Sequence, residues 1–164
     1  MQIFLADQVY PVAAPALAGG AVAVDGGRIV RAGPRDDVVA ALGAGAATHD
    51  LGRVALLPGL VNAHTHVELS WMCDLTLPRG DYVAWLRALL EVRPTAERAR
   101  AVAAAEREIR RLVARGTVAL GDVSNEGWVA PLLARAGLHG VAFHEIYGLD
   151  PQRAEAALEA AAAL

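Results

Sequence analysis

At 164 residues the chain has the length of one ordinary domain, and its hydrophobic content of 55% is typical of a folded globular protein rather than a disordered segment. The net charge of −3 arises from 18 acidic and 15 basic residues, and this mild acidic balance argues against nucleic acid as a partner. The single cysteine, Cys73, excludes an intrachain disulfide and a zinc site built on several thiolates.

The sequence shows no signal for secretion or for a membrane span. Its first residues lack the basic region of a secretory signal, and no charge-free apolar run reaches the roughly 18 residues of a membrane span. A lone cysteine fits a reducing compartment. We therefore expect a cytoplasmic protein with no membrane partner.

Residues 1–57 consist of short apolar runs that are interrupted by Gly, Pro and Asp. Residues 21–30 predict a hairpin, because an Asp-Gly turn at Asp25 separates two β-rich arms. A short helix is predicted from Asp36 to Leu42. This segment predicts a first domain, a small antiparallel β unit of the sandwich type.

Two helices are predicted in the middle of the chain. Asp81 can cap the first helix, which ends near Pro94. Thr95 can cap the second, which runs to Arg115 and is terminated by Gly116. Acidic and basic residues alternate along the second helix, and this pattern predicts a solvated outer face.

Apolar runs of strand length alternate with helical segments from residue 58 to residue 164, the second predicted domain. Alternation of this kind is typical of parallel βα units. The predicted strands are Leu60 to His64, Thr117 to Val123 and Gly140 to Tyr147, and helices are predicted from Gly127 to Ala136 and from Asp150 onward.

Two histidines stand one residue apart in the stretch LPGLVNAHTHVE, residues 57–68. Side chains alternate along a strand, so His64 and His66 point to the same face and Thr65 points toward the helix layer. Two imidazoles at the carboxyl end of a parallel strand can bind one Zn²⁺ or Fe²⁺. The alternative is that one histidine is a satisfied polar residue at a strand end and the other is accidental.

The stretch LPGLVNAHTH, preceded by a small β unit and followed by βα units, resembles the amidohydrolase superfamily, and most closely its cytosine-deaminase and chlorohydrolase branch. The longer text NAHTHVELS is similar to the aminodeoxyfutalosine deaminases, and it is compatible with deaminases of adenosine-type thioethers. The resemblance covers only the N-terminal portion of such proteins. It implies an α/β fold in which residues 58–164 form the first three βα units of an incomplete (β/α)8 TIM-type barrel.

The resemblance also implies a chemistry. One divalent metal, Zn²⁺ or Fe²⁺, is held by His64 and His66 together with ligands from later strands, and a metal-bound hydroxide deaminates an aminated purine nucleoside-like heterocycle. A triazine or guanine substrate stays open within the family. His139 and His144 come too early in the chain to be the later ligand.

We therefore assign no catalytic residue in this chain and expect the isolated 164 residues to release no ammonia. The alternative to an enzyme is a truncated, non-catalytic fragment with weak metal binding. We expect the complete enzyme to be a homo-oligomer, and we expect the half-built barrel of this chain to self-associate through exposed apolar surface.

Three residues are candidates for contacts with a small-molecule substrate. Glu68 lies on the face of the histidine pair if the strand continues, and its alternative is a solvated loop acid. Trp71, in the following loop, can stack on a heterocycle. Glu145 follows the third strand, but alternation places it and His144 on opposite faces, and the sequence does not decide which of the two points inward.

Asp122 ends the second predicted strand of the βα units. It can orient a ligand histidine through a hydrogen bond. It can equally cap the next helix together with Ser124 or Asn125, and the pattern favours this second interpretation.

Overall fold

A computed structural model of the chain describes residues 1–146 and 151–163. It is a mixed α/β structure that divides into two compact units, Met1–Pro58 and Gly59–Leu164. None of the described helices is long and apolar enough to cross a membrane.

The first unit contains five strands and one helix. They are β1 (Gln2–Val9), β2 (Leu17–Asp25), β3 (Arg28–Pro34), α1 (Arg35–Leu42), β4 (Ala47–Asp50) and β5 (Ala55–Leu56). The predicted hairpin is formed by β2 and β3, and its turn places Gly26 and Gly27 at φ +54° and +76°, a conformation that favours glycine.

The sheet of the first unit is mixed, which corrects the predicted antiparallel sandwich. Strands β1, β2 and β3 pair antiparallel, but β4 and β5 both run parallel to β1, in a single five-stranded sheet. Helix α1 covers this sheet through Val38, which is fully buried. The parallel pairing arises because the chain crosses over through α1 before it returns to β1, and no local signal in the sequence of β4 carries that information.

The described part of the second unit contains three strands and four α-helices. They are β6 (Leu60–Thr65), α2 (Tyr82–Val92), α3 (Arg98–Ala114), β7 (Thr117–Val123), α4 (Val129–Arg135), β8 (His139–Phe143) and α5 (Ala154–Ala162). Strands β6, β7 and β8 form a parallel sheet in that order. Helices α3 and α4 pack on it through a core cluster of Val67, Ala105, Ile109, Leu120, Val129, Leu132, Leu133 and Leu138.

The helix ends of the second unit agree in part with the sequence patterns. Asp81 caps α2, since its side chain accepts a hydrogen bond of 3.1 Å from the Ala84 amide. The prediction for Thr95 is wrong, because α3 begins only after Glu97 and the Thr95 hydroxyl donates to the Val92 carbonyl at 2.7 Å. The predicted third strand was drawn too long, and its last residue, Tyr147, lies outside the described residues, as does Asp150.

Strand β6 does not continue beyond Thr65. A 3-10 helix, Val67–Met72, follows at once, and the Leu69 amide donates to the His66 carbonyl at 3.0 Å. This helix is anchored by Val67, which belongs to the core cluster beneath the sheet. The turn from strand to helix at His66 therefore sets the direction of every side chain that follows the histidine pair.

Candidate metal-binding site

The rings of His64 and His66 meet at the carboxyl end of β6. Their Nε2 atoms are 3.2 Å apart, and the rings stand edge to face with centroids 5.0 Å apart. Two nitrogen ligands at ~2.0–2.1 Å from one tetrahedral zinc lie roughly 3.3 Å apart. The separation of the two nitrogens thus fits two positions of one metal, and it also allows a hydrogen bond between the rings.

An irregular register places His64. Asn62 lies opposite Leu120 and Thr65 lies opposite Asp122, so the two intervening residues of β6 face the single residue Gly121 of β7. A Cβ at position 121 would stand 2.3 Å from the Ala63 carbonyl oxygen. Glycine at this position therefore permits the close approach of the two strands. The extra residue in β6 also changes the direction of the neighbouring side chains, as β-bulges do next to functional sites.

Asp122 holds the chain on both sides of His66. Its Oδ1 atom accepts hydrogen bonds from the Thr65 hydroxyl and from the Val67 amide, each at 2.8 Å. Its side chain is fully buried, and its Oδ2 atom has no hydrogen-bond partner among the described residues. The favoured interpretation of Asp122 as a helix cap is wrong, because α4 begins at Val129 after the N-cap residue Trp128 and has no side-chain cap.

Glu68 is buried, with 5% of its side chain exposed, and it lies in the 3-10 helix rather than in a continued strand. One carboxylate oxygen is paired with the Arg93 guanidinium. The other accepts hydrogen bonds from the Ser124 hydroxyl at 3.2 Å and from the Asn125 amide at 3.0 Å. The solvated loop acid is therefore wrong, and a substrate contact by Glu68 stays a prediction.

Trp71 is buried in the same 3-10 helix, so the prediction that it lies in a loop is wrong. It packs in a cluster with Met72, Ala101 and Ala104. The guanidinium of Arg100 lies over its ring, 5.3 Å from the centroid. These contacts are internal to the chain, and stacking of Trp71 on a heterocycle stays a prediction.

Glu145 is exposed just beyond the end of β8, and so is His144. The Glu145 amide donates to the Asn125 side-chain oxygen at 2.8 Å. Asn125 thus links Glu145 to Glu68, since the backbone amide of Asn125 donates to the Glu68 carboxylate. Because β8 ends at Phe143, strand alternation does not decide between His144 and Glu145, and the role of Glu145 stays a prediction.

A small cavity lies beside Glu68 and Trp71, with Arg93, Arg98 and Glu126 also in its wall. Its volume is about 80 Å³. That space suits a few water molecules, whereas pockets for small organic ligands enclose ~300–1,000 Å³. The cavity is therefore not a nucleoside pocket by itself.

The donor chemistry of the histidine pair fits a metal, but a catalytic zinc site takes about three protein ligands. No group of three His, Cys, Asp or Glu side chains within residues 1–146 and 151–163 is arranged to hold a metal ion. Cys73 is exposed and belongs to no such group in that part of the chain.

Sequence reasoning did not single out Arg93, and it assigned Ser124 and Asn125 only to helix capping. Arg93 lies 25 residues from Glu68, so no local pattern connects the two side chains. Asp122 gave a signal of a functional role in the sequence itself. A carboxylate near the end of an apolar strand is unusual unless it has a specific partner.

Known proteins are similar to this chain in sequence and in fold. No family model matches the chain. The chain is 47% identical over 66 residues to a 5-methylthioadenosine/S-adenosylhomocysteine deaminase of Nitratidesulfovibrio vulgaris, across 39% of this chain and 15% of that protein. It is 30% identical over 100 residues to an aminodeoxyfutalosine deaminase of a Nitratiruptor species, across 61% of this chain and 24% of that protein.

Solved structures show the same fold. The aminofutalosine deaminase of Helicobacter pylori, in complex with methylthio-coformycin, superposes with a TM-score of 0.80 at 22% identity, across 98% of this chain and 39% of that chain. An adenosine deaminase of Xanthomonas campestris with bound zinc gives a TM-score of 0.65 at 23% identity, across 85% of this chain and 33% of that chain. At these identities the likeness shows the fold alone.

These comparisons confirm the resemblance to the deaminases of the amidohydrolase superfamily, over the N-terminal portion of such proteins. The chain spans 15% of the length of the first curated relative and 24% of the second.

Proposed function

We propose that this chain supplies the N-terminal portion of a metal-dependent deaminase of the amidohydrolase type. In this proposal residues 1–57 form the small β domain, and residues 58–164 form the first three βα units of a (β/α)8 barrel. The observation that carries the proposal is the 3.2 Å separation of the His64 and His66 Nε2 atoms at the carboxyl end of a parallel strand. Active sites of such barrels lie at that end of the strands.

His64 and His66 would hold one divalent cation, Zn²⁺ or Fe²⁺, with the remaining ligands supplied by residues outside this pair. When bound, such a cation would supply Lewis acidity and would activate water for hydrolysis. In this proposal the residues of this chain bind the cation and orient its ligands. Asp122 holds the backbone around His66, and Glu68 ties the segments after β6 and β7 to each other.

The substrate class in this proposal is an aminated purine nucleoside, of the aminodeoxyfutalosine or adenosine-thioether type, which loses ammonia by hydrolysis. The support is the activity of the curated relatives, a 5-methylthioadenosine/S-adenosylhomocysteine deaminase and an aminodeoxyfutalosine deaminase. Glu68, Trp71 and Glu145 are proposed to lie near that substrate. The contacts that Glu68 and Trp71 make in this structure are internal to the chain and hold their side chains in place. The cytoplasmic location and the homo-oligomeric state of the complete enzyme stay predictions.

The test uses the protein isolated from its own cells, with its metal content measured. Ammonia release is followed on aminodeoxyfutalosine, methylthioadenosine and S-adenosylhomocysteine, with guanine and a chlorinated triazine as comparison substrates. Release from a nucleoside that stops when the metal is chelated supports the proposal. Metal-loaded protein that releases ammonia from no nucleoside overturns it, and metal bound without any turnover favours the non-catalytic alternative.

A further inference from the structure

We propose that Asp122 is a positioning residue of the His64–His66 metal site, which it serves by holding the backbone around His66 and by contributing a buried negative charge that attracts the bound cation. This inference rests on the metal site of the proposed function. It assigns a role to a residue that touches neither ring through any hydrogen bond in the described part of the chain.

The first argument is geometric. Thr65 and Val67 flank His66, and both donate to the same carboxylate oxygen of Asp122 at 2.8 Å. His66 is the residue at which β6 turns into the 3-10 helix, with φ −131° and ψ 72°. A clamp on both neighbours restricts the backbone torsions of His66, and these torsions set the direction of its ring relative to His64. Residues that form hydrogen bonds around metal ligands, without binding the metal, fix the orientation of those ligands.

The second argument is electrostatic. The side chain of Asp122 is fully buried, Oδ2 has no hydrogen-bond partner among the described residues, and none of the ion pairs found in that part of the chain includes Asp122. An unpaired buried carboxylate is costly. An asparagine could accept the same two hydrogen bonds without that cost. The charge itself is therefore the feature that these two hydrogen bonds leave unexplained, and a cation held by the histidines on either side of Thr65 would attract it.

The contrast with Glu68 supports this assignment. Glu68 is also buried, but its charge is compensated by Arg93 and both of its oxygens have partners. Asp122 is in no ion pair within residues 1–146 and 151–163. Among the described residues, Glu68 has partners for its charge and for both oxygens, whereas Asp122 keeps an unpaired charge and a free acceptor atom.

The experiment measures the zinc affinity of the 164-residue chain by competition with a chelating dye. The variants are Asp122→Asn, which keeps an acceptor and removes the charge, Asp122→Ala, which removes both, and Thr65→Val, which removes one donor. Leu132→Ala, in the buried core under the sheet, is the matched control for lost stability. We expect zinc dissociation constants to rise about 10-fold for Asp122→Asn and ~10–100-fold for Asp122→Ala, as for other residues that orient metal ligands.

Two further readouts separate positioning from simple destabilisation. Leu132→Ala should melt at a lower temperature and keep the zinc affinity of the wild type. Hydrogen exchange of the Val67 amide in the zinc-free chain should accelerate in Asp122→Ala, because its buried acceptor is gone, and should accelerate less in Asp122→Asn.

The outcomes are distinct. If the wild type binds zinc only through His64 and His66 but both Asp122 variants bind it equally well, this inference is wrong and the proposed metal site stands. A zinc affinity that falls in Leu132→Ala as much as in Asp122→Ala also overturns it. If the wild type binds no zinc at all, the proposed metal site and this inference fail together.

Discussion

Two buried carboxylates at the carboxyl end of the parallel sheet have different local environments. Glu68 is neutralised by Arg93 and is held by hydrogen bonds from the segment after β7. Asp122 accepts two hydrogen bonds from the chain around His66 through one oxygen only. The same residue chemistry therefore serves internal cohesion in one case and ligand placement in the other.

The histidine pair is the first feature to test at the level of single residues. Replacing both His64 and His66 by Ala should abolish specific binding of Zn²⁺ to the chain, because the two adjacent nitrogen donors are lost. His139→Ala is the matched control, since this exposed histidine lies at the opposite, amino end of β8. Metal content after dialysis and calorimetric titration measure the effect. Stoichiometric zinc in the double variant would contradict the assignment.

The Glu68–Arg93 pair should contribute to stability. Glu68→Gln removes the charge that compensates a partly buried guanidinium, and we expect a loss of ~1–3 kcal/mol in the free energy of unfolding. The exposed pair of Arg98 and Glu126, with 58% of each side chain accessible, provides the control. Glu126→Gln should cost below about 1 kcal/mol.

Urea titration followed by circular dichroism measures both variants. Equal losses in Glu68→Gln and Glu126→Gln would show that burial adds nothing to the Glu68 pair. A double-mutant cycle with Arg93→Met then isolates the energy of the pair from other effects of each substitution.

At the scale of elements, the pairing of β6 with β7 determines where the histidines lie. Thr117–Val123 was predicted as a strand and is observed with those bounds as β7. Its register with β6 is irregular, and Gly121 faces two residues of β6. The site is thus a property of two strands that lie some 55 residues apart in the chain, as the Asp122 contacts with Thr65 and Val67 show.

Gly121→Ala tests this arrangement. The new methyl group would meet the backbone oxygen of Ala63, which has no rotamer with which to move away, so β6 must shift. We expect a loss of ~1–3 kcal/mol in the free energy of unfolding, as for other overpacked sites, together with weaker zinc binding because His64 is displaced.

Gly33→Ala in β3 is the matched control for Gly121→Ala. Gly33 is also a glycine within a strand, but a methyl group there makes an ordinary 3.6 Å contact with Val38. Gly33→Ala should leave the zinc affinity unchanged and should change the free energy of unfolding by less than about 1 kcal/mol. Unchanged zinc affinity in Gly121→Ala would show that the register near His64 tolerates movement.

At the scale of the whole molecule, the chain comprises two compact units, each with its own sheet. The parallel sheet of the second unit leaves large apolar side chains exposed. Val61 is 69% exposed, Val141 is 55% exposed and Phe143 is 50% exposed. Strands of a parallel sheet are normally buried on both faces, so this surface is available for contact with a second copy.

We expect the 164-residue chain to self-associate through these side chains. Sedimentation velocity over a range of protein concentrations should show species larger than the 17.1 kDa monomer. A triple substitution of Val61, Val141 and Phe143 by Thr should shift the distribution toward monomer. Val30→Thr, at an exposed position of β3, is the control and should leave the distribution unchanged. A monomer at every concentration would contradict the expectation.

Much of the local structure followed from patterns in the sequence. The hairpin of β2 and β3, the cap of α2 by Asp81 and the bounds of β7 were all predictable, because turn residues, capping residues and apolar runs act over a few positions. The pairing of two histidines with one metal was likewise a prediction from spacing, and the resemblance to amidohydrolase-type deaminases was carried by the same motif.

The placement of Glu68, Trp71 and Asp122 was decided by tertiary structure. The predictions assumed a continuing strand for Glu68, a loop for Trp71 and a helix cap for Asp122. In the structure Val67 packs into the core, and the chain forms a 3-10 helix directly after His66. The sequence alone therefore determined which chemistry the chain can offer, since residue types and short spacings are local. Only the fold decided which groups meet, because Arg93, Ser124 and Asp122 reach their partners across 25 to 57 residues of chain, where no local pattern carries information.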